Sequence, residues 1–211
     1  MNIKLILIAL LIIVGCGFFL LKTNNGGKTM TEAGVNNNHK VLVAYFSRTG
    51  ELYSVGSITE GNTAIIAKMI ANKTGGDLFE IKVAHDNYPK GYTELTEYTQ
   101  QEKRNNARPE IVGKVENFAD YDTIFIGYPN WWGDMPMPVY TFLESYDFTN
   151  KNVIPFCTHE GSGLGSTQNK VQNAAKGGKL LNGFAIYGHT AQNDRTEADK
   201  KVSEWLKGIG F

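Results

Sequence analysis

The feature that most constrains the fold is an alternation, from Lys40 onward, of apolar runs of strand length with amphipathic stretches. This alternation is typical of a parallel sheet with helices on both faces. Most of the runs are too continuously apolar for a sheet that has one solvated face. The predicted strands are Val41–Phe46, Leu78–Val83, Thr123–Tyr128, Asn152–Cys157 and Phe184–Tyr187. The sequence therefore predicts an α/β domain.

Four helices are predicted between and after these strands, at Asn62–Thr74, Val139–Tyr146, Thr167–Ala175 and Thr196–Lys207. Apolar residues recur at helical spacing in each of them, and Thr196 can serve as the N-cap of the last. Right-handed crossovers between five parallel strands leave few topologies, and the doubly wound order 2-1-3-4-5 is the natural one. In that fold, ligands bind at the carboxyl ends of the strands. The loops after strands one, three and four are therefore the candidate site.

Composition and charge exclude several classes of function. About 150 residues per domain is the usual prior, so the 211 residues fit a single domain with flanking segments. Three lysines and one glutamate lie in residues 1–39, which leaves 18 basic and 20 acidic residues, a formal charge of −2, in residues 40–211. That charge gives no electrostatic case for nucleic acid. Cys16 and Cys157 lie in unlike contexts and outside any Cys/His cluster, so neither a disulfide nor a metal site is predicted.

The segment before the domain has the composition of a membrane anchor. From Leu5 to Leu21 the chain is apolar apart from two glycines and Cys16, and Lys4 precedes it. Residues 13–16 resemble the lipobox of bacterial lipoproteins, whose cysteine is lipidated and becomes the first residue of the mature protein. The apolar residues 18–21 favour instead an uncleaved helix of about 17 to 19 residues. A cleaved signal peptide with a soluble product is the third possibility.

The chain is accordingly divided into three parts. Residues 1–22 are assigned to a signal, lipoprotein or membrane anchor, residues 23–39 to a flexible linker, and residues 40–211 to the α/β domain. The linker is rich in Gly, Asn and Thr and cannot bury enough apolar surface to order itself. The domain is expected to be held at a membrane, outside the cytoplasm, in a bacterial cell envelope.

The loop after the first strand carries the residue types that bind a phosphate monoester. Phosphate is bound by hydroxyls, by backbone amides that glycine leaves accessible, and by the N-terminus of a helix. The candidate residues are Ser47, Arg48, Thr49, Gly50, Asn62 and Thr63. The alternative is an ordinary strand-to-helix turn that Asn62 caps. Neither GxGxxG nor GxxxxGKS is present, which disfavours dinucleotide and nucleoside triphosphate sites.

The loop after the third strand contains two adjacent tryptophans between Pro and Gly. Adjacent large aromatic residues in a loop expose apolar surface unless something flat covers them. We expect one tryptophan to pack in the core and the other to contact a flat ligand. Gly133 lets its peptide turn to present either a carbonyl or an amide to that ligand. The candidate residues are Pro129, Asn130, Trp131, Trp132, Gly133 and Asp134.

The loop after the fourth strand is rich in glycine, with polar side chains between the glycines. Its exposed amides can bind the polar edge of a ring system, and His159 and Glu160 have the chemistry of an acid and a base. The alternative for His159 is a solvated side chain without a role in the site. The candidate residues are Thr158, His159, Glu160, Gly161 and Gly163.

Together the three loops resemble the flavodoxin family, over nearly all of Lys40–Phe211. The resemblance rests on YFSRTG followed by GNT, on GYPNWWGDMP and on PFCTHEGSGLG. It implies a flavodoxin-like sheet that binds flavin mononucleotide (FMN) noncovalently, with the phosphate on the first loop and the ring between the other two. By the same resemblance, Trp132, Gly133 and Asp134 match the aromatic-Gly-Asp turn beside the ring. The third-loop residues Thr158, Glu160, Gly161 and Gly163 would then lie along its far edge.

Two departures limit what the resemblance implies. Residues 51–60 intervene between Gly50 and the GNT segment, where typical members have a contiguous phosphate loop; this insertion is expected to cover the cofactor or to contact a partner. Typical flavodoxins are also strongly acidic and often stack a tyrosine from the third loop. Here the domain is nearly neutral and that loop has no aromatic residue. The redox potentials and partners of typical flavodoxins are therefore not carried over to this chain.

The predicted function is electron transfer through FMN, with redox partner proteins or a small electron donor or acceptor as partners. In that role no catalytic acid or base is required, because the cofactor supplies the chemistry. The alternative is an FMN-dependent NAD(P)H or quinone reductase of the same fold. A third class is a protein that binds another phosphorylated ligand in the same place.

Overall fold

The computed structural model describes residues 40–211. The predicted anchor, residues 1–22, and the predicted linker, residues 23–39, lie outside the described residues. Among residues 40–211, no helix is both long enough and apolar enough to cross a membrane.

Eight strands and six α-helices make up the described chain. The strands are β1 (Val41–Tyr45), β2 (Gly50–Leu52), β3 (Gly56–Ile58), β4 (Asp77–Glu80), β5 (Thr123–Pro129), β6 (Asn152–His159), β7 (Lys179–Leu180) and β8 (Phe184–Tyr187). The helices are α1 (Asn62–Thr74), α2 (Tyr92–Arg104), α3 (Met137–Glu144), α4 (Thr167–Ala174), α5 (Gly188–Asn193) and α6 (Arg195–Gly208).

The main sheet is parallel throughout and runs in the order β4-β1-β5-β6, with β7 and β8 both paired to β6. β7 pairs with the start of β6 and β8 with its end, so the two short strands together occupy the fifth position. This is the doubly wound order 2-1-3-4-5, and the predicted fold class is confirmed.

Two apolar cores cover the two faces of the sheet. Because side chains alternate along a strand, Leu42 and Ala44 face one core, and Val41 and Val43 face the other. The first core is closed by Leu95 of α2 together with α3 and α4. The second is closed by α1, α5 and α6. A sheet covered in this way explains the continuously apolar strands of the sequence.

Several element boundaries differ from the prediction. The second predicted strand ends at Glu80 rather than Val83, and Val83 forms only an isolated bridge. α3 begins two residues early because Pro138 fits the first turn of a helix. The N-cap of α6 is Asp194, which accepts a hydrogen bond from the Glu197 amide at 3.0 Å, so Thr196 as the cap was wrong.

α2 and the hairpin of β2 and β3 were not predicted. α2 buries only Leu95 and Thr99 and is otherwise polar, so it carries a weak periodic signal. The hairpin is formed by the inserted residues 51–60 with Gly50, and its turn includes Ser54 at a φ of 63°. Both elements contribute side chains to one cavity at the carboxyl ends of the central strands.

Candidate functional site

A cavity of about 360 Å³ lies at the carboxyl ends of β1, β5 and β6. Of the residues predicted from the sequence, those that line it are Ser47, Arg48, Asn62, Thr63, Pro129, Asn130, Trp131, Trp132, Thr158, His159 and Glu160. The predicted residues outside the lining are Thr49, Gly50, Gly133, Asp134, Gly161 and Gly163. The structure therefore brings all three predicted loops to one cavity.

The insertion does not separate the two halves of the first loop in space. An added Cβ on Gly61 would lie 2.2 Å from Ser47 Oγ and 2.4 Å from the Arg48 carbonyl oxygen. Ser47 Oγ also accepts a hydrogen bond of 3.1 Å from the amide of Ala64, in the first turn of α1. The hairpin therefore begins at Gly50, and after it the chain comes back at Gly61 into contact with Ser47 and Arg48.

Two buried polar atoms beside this junction have no hydrogen-bond partner, Arg48 Nε and Asn62 Oδ1. The rest of the Arg48 guanidinium is occupied, because Nη1 donates to both carboxylate oxygens of Asp86 at 2.8 and 2.6 Å. Its Nη2 donates to the carbonyl of Tyr88 at 3.2 Å. An unpaired buried polar atom costs about 1–3 kcal/mol, so both atoms favour a polar ligand in this part of the cavity.

The first and third loops are joined by a buried hydrogen bond. The hydroxyls of Thr63 and Thr158 lie 2.8 Å apart, and both side chains are buried. Because each residue comes from a different loop, this bond fixes the distance between the two sides of the cavity.

The aromatic loop forms a two-residue turn. The Trp131 and Asp134 backbones exchange hydrogen bonds of 2.9 and 3.0 Å, and Trp132 and Gly133 both have positive φ, 59° and 67°. This is the geometry of a type I′ turn, which is strained for a tryptophan. Trp131 is partly buried and packs edge-on against Phe46, whereas Trp132 is 46 % exposed.

Side chains from three helices hold this turn. Lys170 of α4 lies 2.5 Å, and Lys103 of α2 3.7 Å, from Oδ2 of the buried Asp134. Tyr140 of α3 donates its hydroxyl to Oδ1 of the same carboxylate at 3.0 Å. Lys103 Nζ also donates to the Trp132 carbonyl at 2.6 Å. We call Lys103, Lys170 and Asp134 the lysine clamp. Asp134 thus supports the turn and does not line the cavity.

The third loop places an imidazole and a carboxylate at the cavity. His159 Nδ1 accepts a hydrogen bond of 2.9 Å from the Gly161 amide, and burial lowers the pKa of His159. The Glu160 carboxylate accepts a hydrogen bond of 2.8 Å from the backbone amide of His189 through Oε1. Its Oε2 lies 2.6 Å from the His189 ring nitrogen Nδ1. Burial raises the pKa of the nearby Cys157 thiol to about 12, so that thiol is not a nucleophile. Among residues 40–211, no cluster of metal-ligating side chains is present.

Residues that sequence reasoning missed form one side of the cavity. We call this the outer wall; it consists of Leu52 and Tyr53 from the hairpin and Tyr92, Leu95, Thr96 and Thr99 from α2. Ser162 of the third loop was also missed. The four α2 residues lie at i, i+3, i+4 and i+7, the spacing of one helix face, and this spacing is the signal that could have identified them.

Comparison with known proteins agrees with the fold and shows the family. The flavodoxin family model matches residues 40–206. The chain belongs to the flavodoxin family. No curated protein sequence matches this flavodoxin-family chain significantly.

Solved structures of flavoproteins are also similar to this chain. A candidate flavoprotein from Bacteroides eggerthii is 30 % identical with a TM-score of 0.65, over 82 % of this chain and 99 % of that one. A second, from Bacteroides uniformis, is 31 % identical with a TM-score of 0.63, over 80 % and 98 %. A flavoprotein from Lactobacillus acidophilus, solved in complex with FMN, is 23 % identical with a TM-score of 0.56, over 77 % and 98 %, and is similar in fold.

Proposed function

We propose that this flavodoxin-family chain binds FMN noncovalently and serves as an electron-transfer protein. The observation that carries the proposal is the polar end of the cavity, where Gly61 meets Ser47 and Arg48 at the start of α1. The first amides of a helix have no intrahelical partner and bind phosphate well. Arg48 Nε requires an acceptor and Asn62 Oδ1 requires a donor, which a phosphate oxygen and a ribityl hydroxyl would supply.

The remaining cavity suits a flat ring. The whole cavity, phosphate end included, has a volume of about 360 Å³, which lies within the usual range for small-molecule sites. Trp132 is 46 % exposed, and the third loop contributes Thr158, His159, Glu160 and Ser162 to the lining. A similar fold has been solved with FMN in Lactobacillus acidophilus. FMN, when bound, supplies the redox chemistry, and the protein supplies binding and orientation.

The loop side chains are already held in place for binding. Asn130 Nδ2 donates to the Gly163 carbonyl at 2.9 Å, and Asn130 Oδ1 accepts from the Gly133 amide at 3.0 Å. One side chain therefore joins the second and third loops, as the Thr63–Thr158 bond joins the first and third. Side chains that are held in this way lose little conformational entropy when a ligand binds.

The electron-transfer role and a reductase role of the same site differ in their partners. An electron-transfer protein requires a redox partner protein or a small donor or acceptor, whereas a reductase oxidises NAD(P)H by itself. Oxidation of NAD(P)H by the purified FMN-loaded protein, without an added reductase, would favour the FMN-dependent NAD(P)H or quinone reductase over the electron carrier.

The phosphate assignment predicts selectivity for FMN over riboflavin. Since a hydrogen bond to a charged group contributes about 1.5–3 kcal/mol, riboflavin should bind at least about tenfold more weakly than FMN. Thr63→Val should also weaken FMN about tenfold, because it leaves the Thr158 hydroxyl without its partner. Fluorescence titration of the apoprotein measures both dissociation constants.

The matched control for this prediction is Thr141→Val, because the Thr141 hydroxyl donates to the Pro109 carbonyl away from the cavity. That variant should leave FMN affinity unchanged. Equal affinities of the wild type for riboflavin and FMN would show that the first loop is not a phosphate site.

We also propose that the apolar segment up to Leu21 holds the domain at a membrane, outside the cytoplasm. The support is the apolar character of residues 5–21, interrupted only by Gly15, Cys16 and Gly17, together with the lipobox-like residues 13–16. Globomycin treatment followed by mass spectrometry of Cys16 is expected to distinguish a lipid anchor from an uncleaved helix. An unmodified Cys16 in a membrane-bound protein would exclude the lipid anchor, and a freely soluble mature protein would exclude both.

A further inference from the structure

Three consecutive residues at the junction of β8 and α5 contact the first and third loops without lining the cavity themselves. They are Tyr187, Gly188 and His189, and the sequence predicted none of them as a site residue. β8 pairs with the end of β6, the strand that leads into the third loop, so its carboxyl end lies at the same edge of the sheet as the cavity. We call these three residues the bridging segment.

Gly188 lies between two side chains that line the cavity. An added Cβ on Gly188 would be 2.1 Å from Asn62 Nδ2 and 2.8 Å from Glu160 Oε1. Asn62 comes from the first loop and Glu160 from the third, and both line the cavity. Gly188 does not have a positive φ, so these contacts, and not the backbone conformation, require glycine here. The glycine lets the amide and the carboxylate lie side by side.

His189 binds both oxygens of the Glu160 carboxylate. Its backbone amide donates to Oε1, and its ring nitrogen Nδ1 lies 2.6 Å from Oε2. The Glu160 side chain is 15 % exposed and that of His189 is 48 % exposed. The carboxylate is therefore held in one place next to Asn62, while the imidazole that holds it remains open to solvent.

The charge of Glu160 is unfavourable at a site for an anion. The proposed function assigns the end of the cavity that contains Asn62 to the phosphate and ribityl groups of FMN. Because a phosphate and a carboxylate repel each other, Glu160 weakens FMN binding unless a cation offsets its charge. His189 is in contact with Glu160, and histidine is the side chain that changes charge between about pH 5 and 8.

Other charged side chains near the bridging segment have other partners. α5 packs against α1 and α6, and several charged residues of these helices form ion pairs that include neither Glu160 nor His189. These pairs are Lys68–Glu60, Arg195–Glu60, Lys73–Asp199 and Lys201–Glu197.

The titratable groups on the β6 and β8 side are His159 and Tyr187. Their ring centroids lie 4.6 Å apart, and the Tyr187 ring lies 4.9 Å from that of His189. Burial lowers the pKa of His159, which makes this imidazole a poorer source of positive charge. His189 is thus the group that the structure places to offset the charge of Glu160.

We propose that the bridging segment is a fourth element of the FMN site, in which Gly188 and His189 are positioning residues. Gly188 admits Asn62 and Glu160 side by side, and protonated His189 holds the Glu160 carboxylate and offsets its charge. The inference rests on the proposed function, because Asn62 and Glu160 are residues that would contact FMN. The affinity for FMN should consequently depend on the charge of His189.

The test is equilibrium titration of the full-length apoprotein with FMN at about pH 5.5 and about pH 8.5. At the lower pH, His189→Gln should bind FMN about three- to tenfold more weakly than the wild type, because glutamine keeps the backbone donor but carries no positive charge. At the higher pH the two proteins should bind FMN equally. Comparing two proteins at one pH cancels the titration of the FMN phosphate itself.

Matched variants and a second ligand isolate the charge effect. His85→Gln changes an exposed histidine outside this cavity and should bind FMN like the wild type at both pH values. In a Glu160→Gln background, His189→Gln should cause no further loss at the lower pH. In a His159→Gln background, the loss should persist. Riboflavin, which lacks the phosphate, should not distinguish His189→Gln from the wild type.

Gly188→Ala tests the contact itself. The added Cβ would displace Asn62 or Glu160, so FMN binding should weaken about tenfold at both pH values. Gly208→Ala is the control, because a Cβ there meets no atom within 4 Å. In an Asn62→Ala background, Gly188→Ala should cause a smaller loss, since the amide that the Cβ would meet is absent.

An equal loss of FMN affinity at both pH values in His189→Gln would show that His189 is only structural and would overturn the proposal. Wild-type affinity of His189→Gln at the lower pH, or of a folded Gly188→Ala protein, would also overturn it. Urea unfolding shows whether each variant is folded, and His189→Gln decides the matter if Gly188→Ala is not. A wild type that does not bind FMN would overturn the proposed function instead, and the wild-type titration shows this separately.

Discussion

Replacing Gly61 with alanine is expected to weaken FMN binding by about a hundredfold and to lower the free energy of unfolding by up to about 3 kcal/mol. An added Cβ would lie 2.2 Å from Ser47 Oγ and 2.4 Å from the Arg48 carbonyl oxygen. Ser47 could turn away only by giving up its hydrogen bond with Ala64, and Arg48 could move only with its backbone. The loss of stability should therefore lie near the upper end of the range of about 1–3 kcal/mol that overpacking causes.

Gly208→Ala is the matched control, because a Cβ there meets no atom within 4 Å and the residue ends helix α6. It should keep FMN affinity and change stability by less than about 1 kcal/mol. FMN titration and urea unfolding of the apoprotein measure the two effects separately. A Gly61→Ala protein with wild-type FMN affinity would show that the close approach of the two loop halves is not needed for binding.

Removing both cations of the lysine clamp is expected to lower the free energy of unfolding by about 3–5 kcal/mol. In Lys103→Met with Lys170→Met, the buried Asp134 carboxylate loses both ammonium groups and keeps only the Tyr140 hydroxyl and the Met135 amide. The Trp132 carbonyl also loses its donor. Because Trp132 already has a positive φ, the turn should then become mobile, and the fluorescence anisotropy of the protein should fall.

Lys68→Met provides the control for the clamp. Lys68 pairs with Glu60 at 2.6 Å, but on the surface, where an ion pair contributes about 0–1 kcal/mol. Adding Asp134→Asn to the double lysine variant should recover part of the lost stability, because the unpaired charge is removed. If the double variant unfolded at the same urea concentration as Lys68→Met, Asp134 would not depend on its two lysines.

The lysine clamp also bears on the turning of the Gly133 peptide that the sequence suggested. The carbonyl of the Trp132–Gly133 peptide accepts from Lys103, and its amide donates to Asn130 Oδ1. Rotation of that peptide would break both bonds. The double lysine variant removes the first of them, so it lowers the cost of rotation by about 1.5–3 kcal/mol.

Much of the fold and the general place of the site were determined by the sequence itself. Continuously apolar runs such as Thr123–Tyr128 require burial on both faces, and that requirement specifies a covered parallel sheet. Crossover handedness then leaves few topologies, and the natural one, the doubly wound order, brings the loops after strands one, three and four to one edge. Periodicity also placed α1 at Asn62–Thr74, the same bounds as in the structure. These features follow from local patterns, because apolar residues recur along the chain with the period of the helix or strand that buries them.

Only the tertiary structure decided what surrounds those loops. The clamp joins Asp134 to Lys103 and Lys170, which lie more than thirty residues away on either side, and Thr63 reaches Thr158 over 95 residues. The periodicity of the sequence cannot predict such contacts, because they depend on how the helices pack on the sheet. The same holds for the outer wall: α2 is largely polar, so its contribution became visible only once the hairpin and Trp132 were packed against it.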